Sequence, residues 1–406
     1  MRTALLMTFL IASFSASAER FLDLKTAYSL ALERNVELAK YPFQIQQQGA
    51  MAIQADIQPS PEIGLEVADL IGTNQYGLLQ ETEISLLFSQ TIEIGKKRQL
   101  RLAYSNVAED RVRLEFELAK IDILAETSRR YYQLLSLQAM QQIVLDKIEL
   151  EKHTLLKIKR LTKAGAVGLV DKLVISLRLK RSEAQFLNLN SLQVIAKNRL
   201  AAMWQGDVDF DRVKGSIFSL PNTPNFAKLR DDLAGSPAIL HLLSLQREAD
   251  QNHSLLKESA KADITYSAGL THKMGDSSQT VSFGVSAPLN YSNPNKGRIE
   301  QAKIALQETQ ALARESKRNL ELILKEHWLK MQQHKQQLNA LNNDILPEAE
   351  KLLKESIKSY NSGNISILQL VDAQQQWLDF KIDLIKSSGS IYMELVELER
   401  LTSKKL

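Results

Sequence analysis

The hydrophobic positions of the chain follow two periods, and each period predicts a different kind of element. From Lys96 to Lys163 the sequence contains no Gly or Pro, and apolar residues recur at helical spacing over these 68 residues. A helix of that length would extend about 100 Å at 1.5 Å per residue. Because a globular domain is rarely that wide, the pattern favours an elongated bundle or a coiled coil.

Heptad spacing supports coiled-coil packing in both halves of the chain. The first long helix has a seam in which Ser128 is the polar member and the apolar members are Leu100, Val107, Leu114, Ile121 and Leu135. The second half has a ladder with no polar member: Leu324, Met331, Leu338, Ile345 and Leu352. A seven-residue repeat makes helices supercoil about their neighbours. Pro347 is expected to kink the second long helix or to remove one of its backbone hydrogen bonds.

A glycine-marked turn follows each long helix and predicts that the chain folds back there. Gly165 and Gly168 precede a shorter helix predicted over residues 169–203, and Gly363 precedes another over residues 366–401. Each half of the chain is therefore predicted to contain one long antiparallel helical hairpin.

The segments that precede the long helices alternate with period two, which predicts strands. They cover residues 63–68, 84–89, 264–270 and 281–285, with polar loops around 72–77 and 273–278. Strands of this length cross a bilayer when tilted, but four of them cannot close a barrel. Open edges cannot face lipid, so strands in a membrane would require several chains. A small sheet that caps a soluble helical bundle is the alternative, and the strands alone leave both open.

The same order of elements occurs twice. Helices predicted over residues 21–55 and 226–260 each lead into a strand pair and then a long helix. Gly95 and Gly297 lie 202 residues apart, and the turn glycines Gly165 and Gly363 lie 198 apart. Two spacings this similar indicate a duplication. The predicted organisation is a signal peptide over 1–18, a first repeat over 19–203, a linker over 204–225 and a second repeat over 226–406.

The N-terminus has the pattern of a secretory signal peptide. Arg2 supplies the positive charge, residues 4–14 form an apolar run, and Ala16-Ser17-Ala18 is a small-residue cleavage pattern. A short buried helix is the alternative interpretation. Cleavage after Ala18 would leave Glu19 first. Because no later stretch has 18 consecutive apolar residues, no membrane-spanning helix is expected, and export leads to the periplasm, the outer membrane or the medium.

Composition excludes several classes of site. The 406 residues include no Cys, which removes disulfides, thiolate metal sites and cysteine nucleophiles. The 51 basic and 47 acidic residues are too balanced for a protein that neutralises many phosphates. His327 and His334 lie about 10.5 Å apart along a helix, too far to share a metal ion. No catalytic motif is present, so neither an enzyme nor a cofactor or metal site is expected.

Three stretches carry a resemblance to a known family: 90-QTIEIGKKRQLR-101, 288-PLNYSNPNKGRIEQA-302 and 346-LPEAEKLLKESIKSYNSGNISILQLVDAQQQWL-378. Together with the duplicated halves, they resemble the TolC-type outer membrane factors, the exit ducts of tripartite efflux pumps. The resemblance covers residues 19–406. The Gly-Lys-Lys-Arg and Pro-Asn-Lys-Gly junctions look most like the branch that serves heavy-metal pumps of the cobalt–zinc–cadmium type.

The resemblance implies a mainly α fold with a small β part. Two tandem repeats would supply long coiled-coil hairpins and four transmembrane strands per chain. Three chains would form a homotrimer with an α-barrel and a 12-stranded β-barrel, in which every strand edge is paired. A belt of short helices would come from residues near 204–225 and from the C-terminus.

The implied function is passive conduction through the outer membrane. Solutes, and heavy-metal cations in particular, would arrive from a periplasmic adaptor (a membrane fusion protein) and an inner-membrane RND pump. A multidrug or type I secretion duct of the same family is one alternative. A soluble periplasmic coiled-coil scaffold is another, and a secreted hydrolase is a third.

The resemblance also implies a gate at the periplasmic end. Tyr360 occupies the tyrosine position before the turn, and Asp372 matches an acidic ring that would favour cations. Gln369 stands where some members have Asp, and Ile365 where some have Arg, so a weaker or different charge-assisted lock is expected. Alternatively, Asp372 caps or decorates a solvated helix.

Finally, the resemblance implies that the turns at residues 161–171 and 360–370 contact the adaptor. The candidate contact residues are Gly165, Gly168, Asp171, Gly363 and Ser366. The three glycines would permit the backbone turn and the close approach of another chain. A purely structural role is the alternative, because glycine ends helices whatever docks there.

Overall fold

The computed structural model describes residues 19–70, 82–289 and 293–405. The predicted signal peptide, the loop around 72–77 and residues 290–292 of the second junction motif lie outside the described residues. Within the described ranges the fold is mainly helical, with one four-stranded and one two-stranded sheet.

The element bounds follow the chain in order. The helices are α1 Leu24–Arg34, α2 Val36–Ala39, α3 Tyr41–Ala55, α4 Lys97–Lys163, α5 Leu169–Ala201, α6 Phe226–Ala234, α7 Pro237–Glu258, α8 Lys296–Ala340, α9 Leu346–Asn361 and α10 Ile367–Thr402. The strands are β1 Phe21–Leu22, β2 Glu62–Ala68, β3 Glu83–Ile92, β4 Arg212–Val213, β5 Ile264–Lys273 and β6 Gln279–Ser286. A 3-10 turn, Ala202–Trp204, follows α5, and a π-helical segment, Leu341–Ile345, separates α8 from α9.

The chain divides into two compact units, which are described separately. The hairpin unit contains the described residues up to Asn35 together with Ile123–Thr223 and Leu329–Glu397. The sheet unit contains Val36–Asp122, Pro224–Trp328 and the described residues from Leu398 onward. Each unit therefore takes segments from both halves of the chain.

The sheet of the sheet unit has the order β2-β3-β5-β6, and every neighbouring pair is antiparallel. The central pair is long, running from Glu83 opposite Lys273 to Ile92 opposite Ile264. All four predicted strands are present, and the two strand pairs predicted from separate halves of the chain meet in one sheet.

The long helices lie where the hydrophobic pattern places them. Helix α4 begins one residue after the predicted start and ends at Lys163, and α10 covers residues 367–402 where 366–401 was predicted. The helices α5 and α10 each begin four residues after a turn glycine, Gly165 or Gly363.

The helix predicted over residues 21–55 is wrong as a single element, because it is divided into β1, α1, α2 and α3. Asp23 caps α1 by accepting a hydrogen bond from the Thr26 N–H at 2.7 Å, and α1 ends at Arg34 because the next residue, Asn35, has an extended backbone. The helix predicted over 226–260 likewise divides into α6 and α7 in front of Pro237, because proline disfavours a helical residue before it.

The linker near residues 204–225 was expected to supply short helices, and this is wrong for the described residues 205–225. Strand β4 lies there and pairs in parallel with β1. Tyr131 of α4 contacts both strands, because its single O–H proton is shared between the carbonyls of Leu22 at 3.2 Å and Lys214 at 2.5 Å. Burial raises the pKa of Tyr131 to about 12, so the phenol keeps its donor proton.

The interruption predicted at Pro347 is present as the π-helical segment Leu341–Ile345 just before it. Proline has no N–H and its ring clashes with the preceding turn, so a wider turn fits there. A π-helical turn contains one residue more than an α-helical turn, so the residues that follow it are rotated onto different sides of the helix. Leu324 and Met331 are fully buried, but Leu352 is 46% exposed. The uninterrupted ladder is therefore wrong beyond the π segment.

Candidate functional site

One face of the four-stranded sheet is apolar and exposed. Ile63 lies opposite Phe88, Leu86 opposite Leu270, and Val281 also opposite Leu270 on the next strand. Directly paired residues point to the same side of a sheet, so these side chains share one face. The other exposed apolar members of this face are Leu65, Val67, Ile92, Tyr266, Phe283 and Val285.

The opposite face carries small and mostly polar side chains, and Leu87 is an apolar exception. Its other members include Gly64, Ser85, Ser89, Thr265, Ser267, Gly269, Thr271, Ser282 and Gly284. Hydroxyl pairs cross between β3 and β5, with Ser85 2.8 Å from Thr271 and Thr91 2.9 Å from Thr265. A sheet with these two faces suits lipid on one side and water on the other.

The edges of this sheet are open. Within the described part of the chain, β2 pairs only with β3 and β6 pairs only with β5. Open edges with an exposed apolar face require further strands before the sheet can contact lipid.

The junction between β3 and α4 is held by a turn and a buried lysine. Gly95 has φ +90, and an added Cβ would lie 2.0 Å from Glu258 Oε1. The Lys96 N–H donates to that same oxygen at 2.9 Å. Lys97 is 6% exposed and donates to Asp263 at 2.7 Å and to the Lys261 carbonyl at 2.6 Å. Gly95-Lys96-Lys97, which carried part of the resemblance, therefore ties α4 to the α7–β5 connection.

The next residue of the junction motif ties α4 to α3. Arg98 donates two hydrogen bonds to Asp56, at 2.9 and 3.0 Å. These bonds lower the pKa of the Asp56 carboxyl, and bonds from Lys261 and the Lys96 N–H lower that of Glu258. The acids Asp56, Glu258 and Asp263 were not identified from the sequence, because they lie 42 to 166 residues from their partners.

The two turns of the hairpin unit have the same backbone. Gly165 and Gly363 both have φ +75, a conformation that favours glycine. In each turn, the amides of the glycine and of the following residue bond back to the last helical turn, as in a Schellman motif. The bonds are Gly165 N to Thr162 O (3.1 Å), Ala166 N to Leu161 O (3.0 Å), Gly363 N to Tyr360 O (3.1 Å) and Asn364 N to Ser359 O (2.9 Å).

Gly168 differs from the other two glycines. Its φ of −72 and ψ of 159 are ordinary extended values, and an added Cβ would meet nothing within 4 Å. The expectation that Gly168 permits the turn is therefore wrong, because any L-residue adopts this backbone.

Ser366 and Gln369 form a reciprocal cap at the start of α10. The Ser366 N–H donates to Gln369 Oε1 at 2.9 Å, and the Gln369 N–H donates to Ser366 Oγ at 3.4 Å. This is a capping box, which satisfies two backbone donors at once. In the structure, both predicted site residues are part of helix capping.

The remaining predicted site residues lie around the end of the hairpin unit. Tyr360 packs against an apolar cluster that contains Ile158, Ile175 and Val371. Burial, and then the charge of Asp171, raises the pKa of Tyr360. Its hydroxyl is buried without a hydrogen-bond partner among the described residues.

Asp372 is exposed and accepts a hydrogen bond from the Gln376 side chain at 2.7 Å, one turn later on α10. A carboxylate in this position faces away from the apolar cluster and is available to solvent.

Among the described residues, no three or more His, Cys, Asp or Glu side chains lie close enough together to hold a metal ion. None of the helices in the described ranges is both long enough and apolar enough to cross a membrane.

The chain matches a family of known proteins over most of its length. The family described as outer membrane efflux protein matches residues 27–206 and 236–404. The cobalt-zinc-cadmium resistance protein CzcC of Cupriavidus metallidurans is 22% identical over 405 residues, which cover 98% of this chain and 94% of CzcC.

Solved structures share the fold. Crystal structures of CusC concern the conformational changes that accompany its folding and its formation of a transmembrane channel. One of them matches this chain with a TM-score of 0.78 at 14% identity, and the match covers 96% of this chain and 95% of that chain. The outer-membrane channel OprN matches at 0.77 and 16% identity, covering 94% and 92%. The outer membrane protein VceC of Vibrio cholerae matches at 0.76 and 17% identity, covering 93% and 95%.

Proposed function

Because the chain belongs to the outer membrane efflux protein family, we propose that three copies of it form the exit duct of a tripartite efflux pump. The duct conducts solutes passively across the outer membrane. A periplasmic adaptor and an inner-membrane RND pump deliver the solutes to it. We also propose that the chain catalyses no reaction, since its family is one of channels.

The two-faced sheet with open edges carries this proposal. Four strands leave β2 and β6 half-paired within the described part of the chain, and the apolar face is exposed. If three sheets join edge to edge, the resulting twelve strands leave no open edge. The apolar faces then contact lipid, and the small polar faces line the passage.

The ends of the two helical hairpins supply the proposed gate and adaptor contact. Tyr360, Gln369 and Asp372 are the proposed gate residues, with the exposed Asp372 carboxylate forming a three-fold acidic ring. A ring of three carboxylates concentrates negative potential and favours cations.

The proposed adaptor contact is the exposed backbone of both turns. Its residues are Gly165, Gly168, Asp171, Gly363 and Ser366. An added Cβ at either Gly165 or Gly363 would meet nothing within 4 Å, so both turns present backbone to an incoming chain. Ser366 contributes by fixing the start of α10.

The chain organisation is proposed to be a cleaved signal peptide over 1–18 and two repeats, 19–203 and 226–406, joined by 204–225. The equal φ values and matching hydrogen bonds at Gly165 and Gly363 support the duplication.

The proposed solutes are heavy-metal cations. The relative CzcC is named for cobalt, zinc and cadmium resistance, and it spans nearly the whole of this chain. The exposed Asp372 provides a cation-favouring position in the proposed gate. A drug or secreted-protein duct of the same family is the alternative.

Cell fractionation tests the channel proposal. We expect the mature protein, beginning at Glu19, in the outer-membrane fraction as a trimer that resists detergent until it is heated. A soluble coiled-coil scaffold would instead be extracted into water without detergent, and that result would contradict the proposal.

Deletion of the gene tests the solute. We expect the deletion strain to grow poorly on zinc, cobalt or cadmium and normally on dyes, with growth restored by a plasmid copy of the gene. Sensitivity to dyes or drugs alone would refute heavy-metal cations as the solute while leaving the duct itself in place.

A further inference from the structure

A polar cavity of about 730 Å³ lies in the hairpin unit, between α4, α5 and α10. Its side chains are not among those of the proposed gate or adaptor contact. Its charged lining consists of three cations and two carboxylates: Lys147, Arg178, Arg181, Glu151 and Asp379. Charged groups lining a cavity are costly unless opposite charges balance them, so their balance indicates what the cavity can hold.

The cations of this cavity are incompletely balanced. Lys147 lies 3.5 Å from the neutral Gln375 Oε1 and forms no ion pair with a carboxylate of the described chain. Arg181 forms neither an ion pair nor a hydrogen bond with any described residue. Arg178 does have a carboxylate partner, because its Nε lies 3.7 Å from Glu151 Oε1. Lys147 and Arg181 therefore present uncompensated positive charge to the cavity.

The three cations also repel one another. Burial lowers the pKa of Lys147. The charges of Arg178 and Arg181 lower this pKa further, against the opposing effect of the two carboxylates. An anion placed among the three cations would relieve their repulsion. Because a guanidinium group presents several N–H donors in one plane, the two arginines suit an anion with several oxygens.

Glu151 restricts which oxyanion fits. Its side chain is 3% exposed, and its Oε2 is buried without a hydrogen-bond partner among the described residues. An ionised carboxylate only accepts hydrogen bonds, so this oxygen repels a fully deprotonated anion and accepts from an anion that carries its own proton. Inorganic phosphate keeps at least one proton at neutral pH, whereas sulfate keeps none. The unpartnered oxygen therefore favours phosphate over sulfate.

We propose that this cavity binds a phosphate group that keeps a proton. Lys147, Arg178 and Arg181 donate to the phosphate oxygens, and the P–O–H group donates to Glu151 Oε2. Arg178 is held in place for this contact, because its Nη2 donates to Gln375 Oε1 at 2.7 Å. The cavity is larger than a phosphate ion, so it has room for the organic part of a phosphomonoester as well as for inorganic phosphate.

Isothermal titration calorimetry of the purified protein in detergent tests the site. The probes are inorganic phosphate and sulfate, in a buffer that contains neither. We expect phosphate to bind at least about tenfold more tightly, since sulfate lacks the proton that Glu151 Oε2 accepts. Tighter binding of glycerol phosphate than of inorganic phosphate would identify a phosphomonoester as the ligand and support the same contact. Equal binding of phosphate and sulfate, or no binding of phosphate, would overturn the proposal.

Arg181→Ala and Lys180→Ala form a matched pair of variants. Each removes one exposed positive charge from α5, but Lys180 does not line the cavity. Because Arg181 has no partner among the described residues, folding should be preserved in both variants. We expect Arg181→Ala to weaken phosphate binding about tenfold and Lys180→Ala to change it less than about twofold. Equal phosphate affinities in the two variants would overturn the proposal.

Glu151→Gln tests the discrimination between the two anions. The amide keeps an oxygen for Arg178 but removes the negative charge that repels sulfate. We expect sulfate to bind this variant about tenfold more tightly than the unaltered protein. An unchanged preference for phosphate would overturn the contact with Glu151, and if the variant does not fold, the matched pair on α5 still decides. These affinities do not depend on conduction, so their failure would overturn the phosphate site and leave the proposed duct in place.

Discussion

Replacing Phe283 by lysine is expected to abolish trimer assembly in the outer membrane. Phe283 is 84% exposed and lies on the apolar face of the sheet, opposite Ala268. A lysine on the lipid face near the middle of a bilayer costs about 2–4 kcal/mol, and a trimer carries the substitution three times. The combined cost is comparable with the whole stability of a typical domain.

Ser282→Lys provides the matched control one residue away. Ser282 lies on the opposite, small polar face, opposite Gly269. The lysine side chain of this variant would extend into the water that fills the proposed passage. The yield of trimer should therefore stay within about twofold of that of the unaltered protein. The measurement is the amount of heat-modifiable trimer in outer-membrane fractions. Equal loss of trimer in both variants, or in neither, would contradict the assignment of the two faces.

Replacing Gly363 by tryptophan is expected to abolish efflux and leave the yield of trimer unchanged. A Cβ at this position meets nothing within 4 Å, so the bulky side chain would project from the turn into the proposed adaptor contact. The φ of +75 adds a local backbone cost of about 1–2 kcal/mol for an L-residue, which a long helical hairpin tolerates.

Gly363→Asn separates the backbone cost from the surface contact. Asparagine adopts the left-handed conformation more readily than other L-residues and adds a short side chain. We expect this variant to retain most resistance, and Gly363→Trp to be as sensitive to metal as the deletion strain. Growth on increasing concentrations of zinc or cobalt measures the metal resistance of both variants. Full resistance in Gly363→Trp would remove Gly363 from the adaptor contact.

The elements that sequence reasoning placed well are those with a long, unambiguous period. The α4 helix and the four strands have bounds close to the predicted ones, because 68 residues without Gly or Pro and strict alternation leave few other structures. The break after Asn35 was missed because its cause is tertiary. Asn35 donates to the Met203 carbonyl at 2.8 Å, a contact across 168 residues.

The π segment could not be predicted from the hydrophobic period of the sequence. Pro347 indicates that the helix is disturbed, but not that one extra residue is inserted before it and that Leu352 consequently becomes exposed. Which residues are buried beyond a π segment depends on tertiary packing, and counting heptads in the sequence does not reveal it.

The candidate site was predicted unevenly for similar reasons. Gly363 was identified by its place after a helix, and its positive φ supports that interpretation. The cap formed by Ser366 and Gln369 has the S-x-x-Q spacing and was accessible to sequence reasoning. The contact of Arg178 with Gln375 spans 197 residues, and no local pattern marks it.

Native mass spectrometry of the protein extracted in detergent tests the central claim most directly. In the described part of the chain, β2 and β6 each have one unpaired edge, and the proposed trimer would pair these edges by joining three sheets into twelve strands. We expect a single assembly of three copies that persists in detergent and dissociates on heating. A single copy, stable in water without detergent, would contradict it.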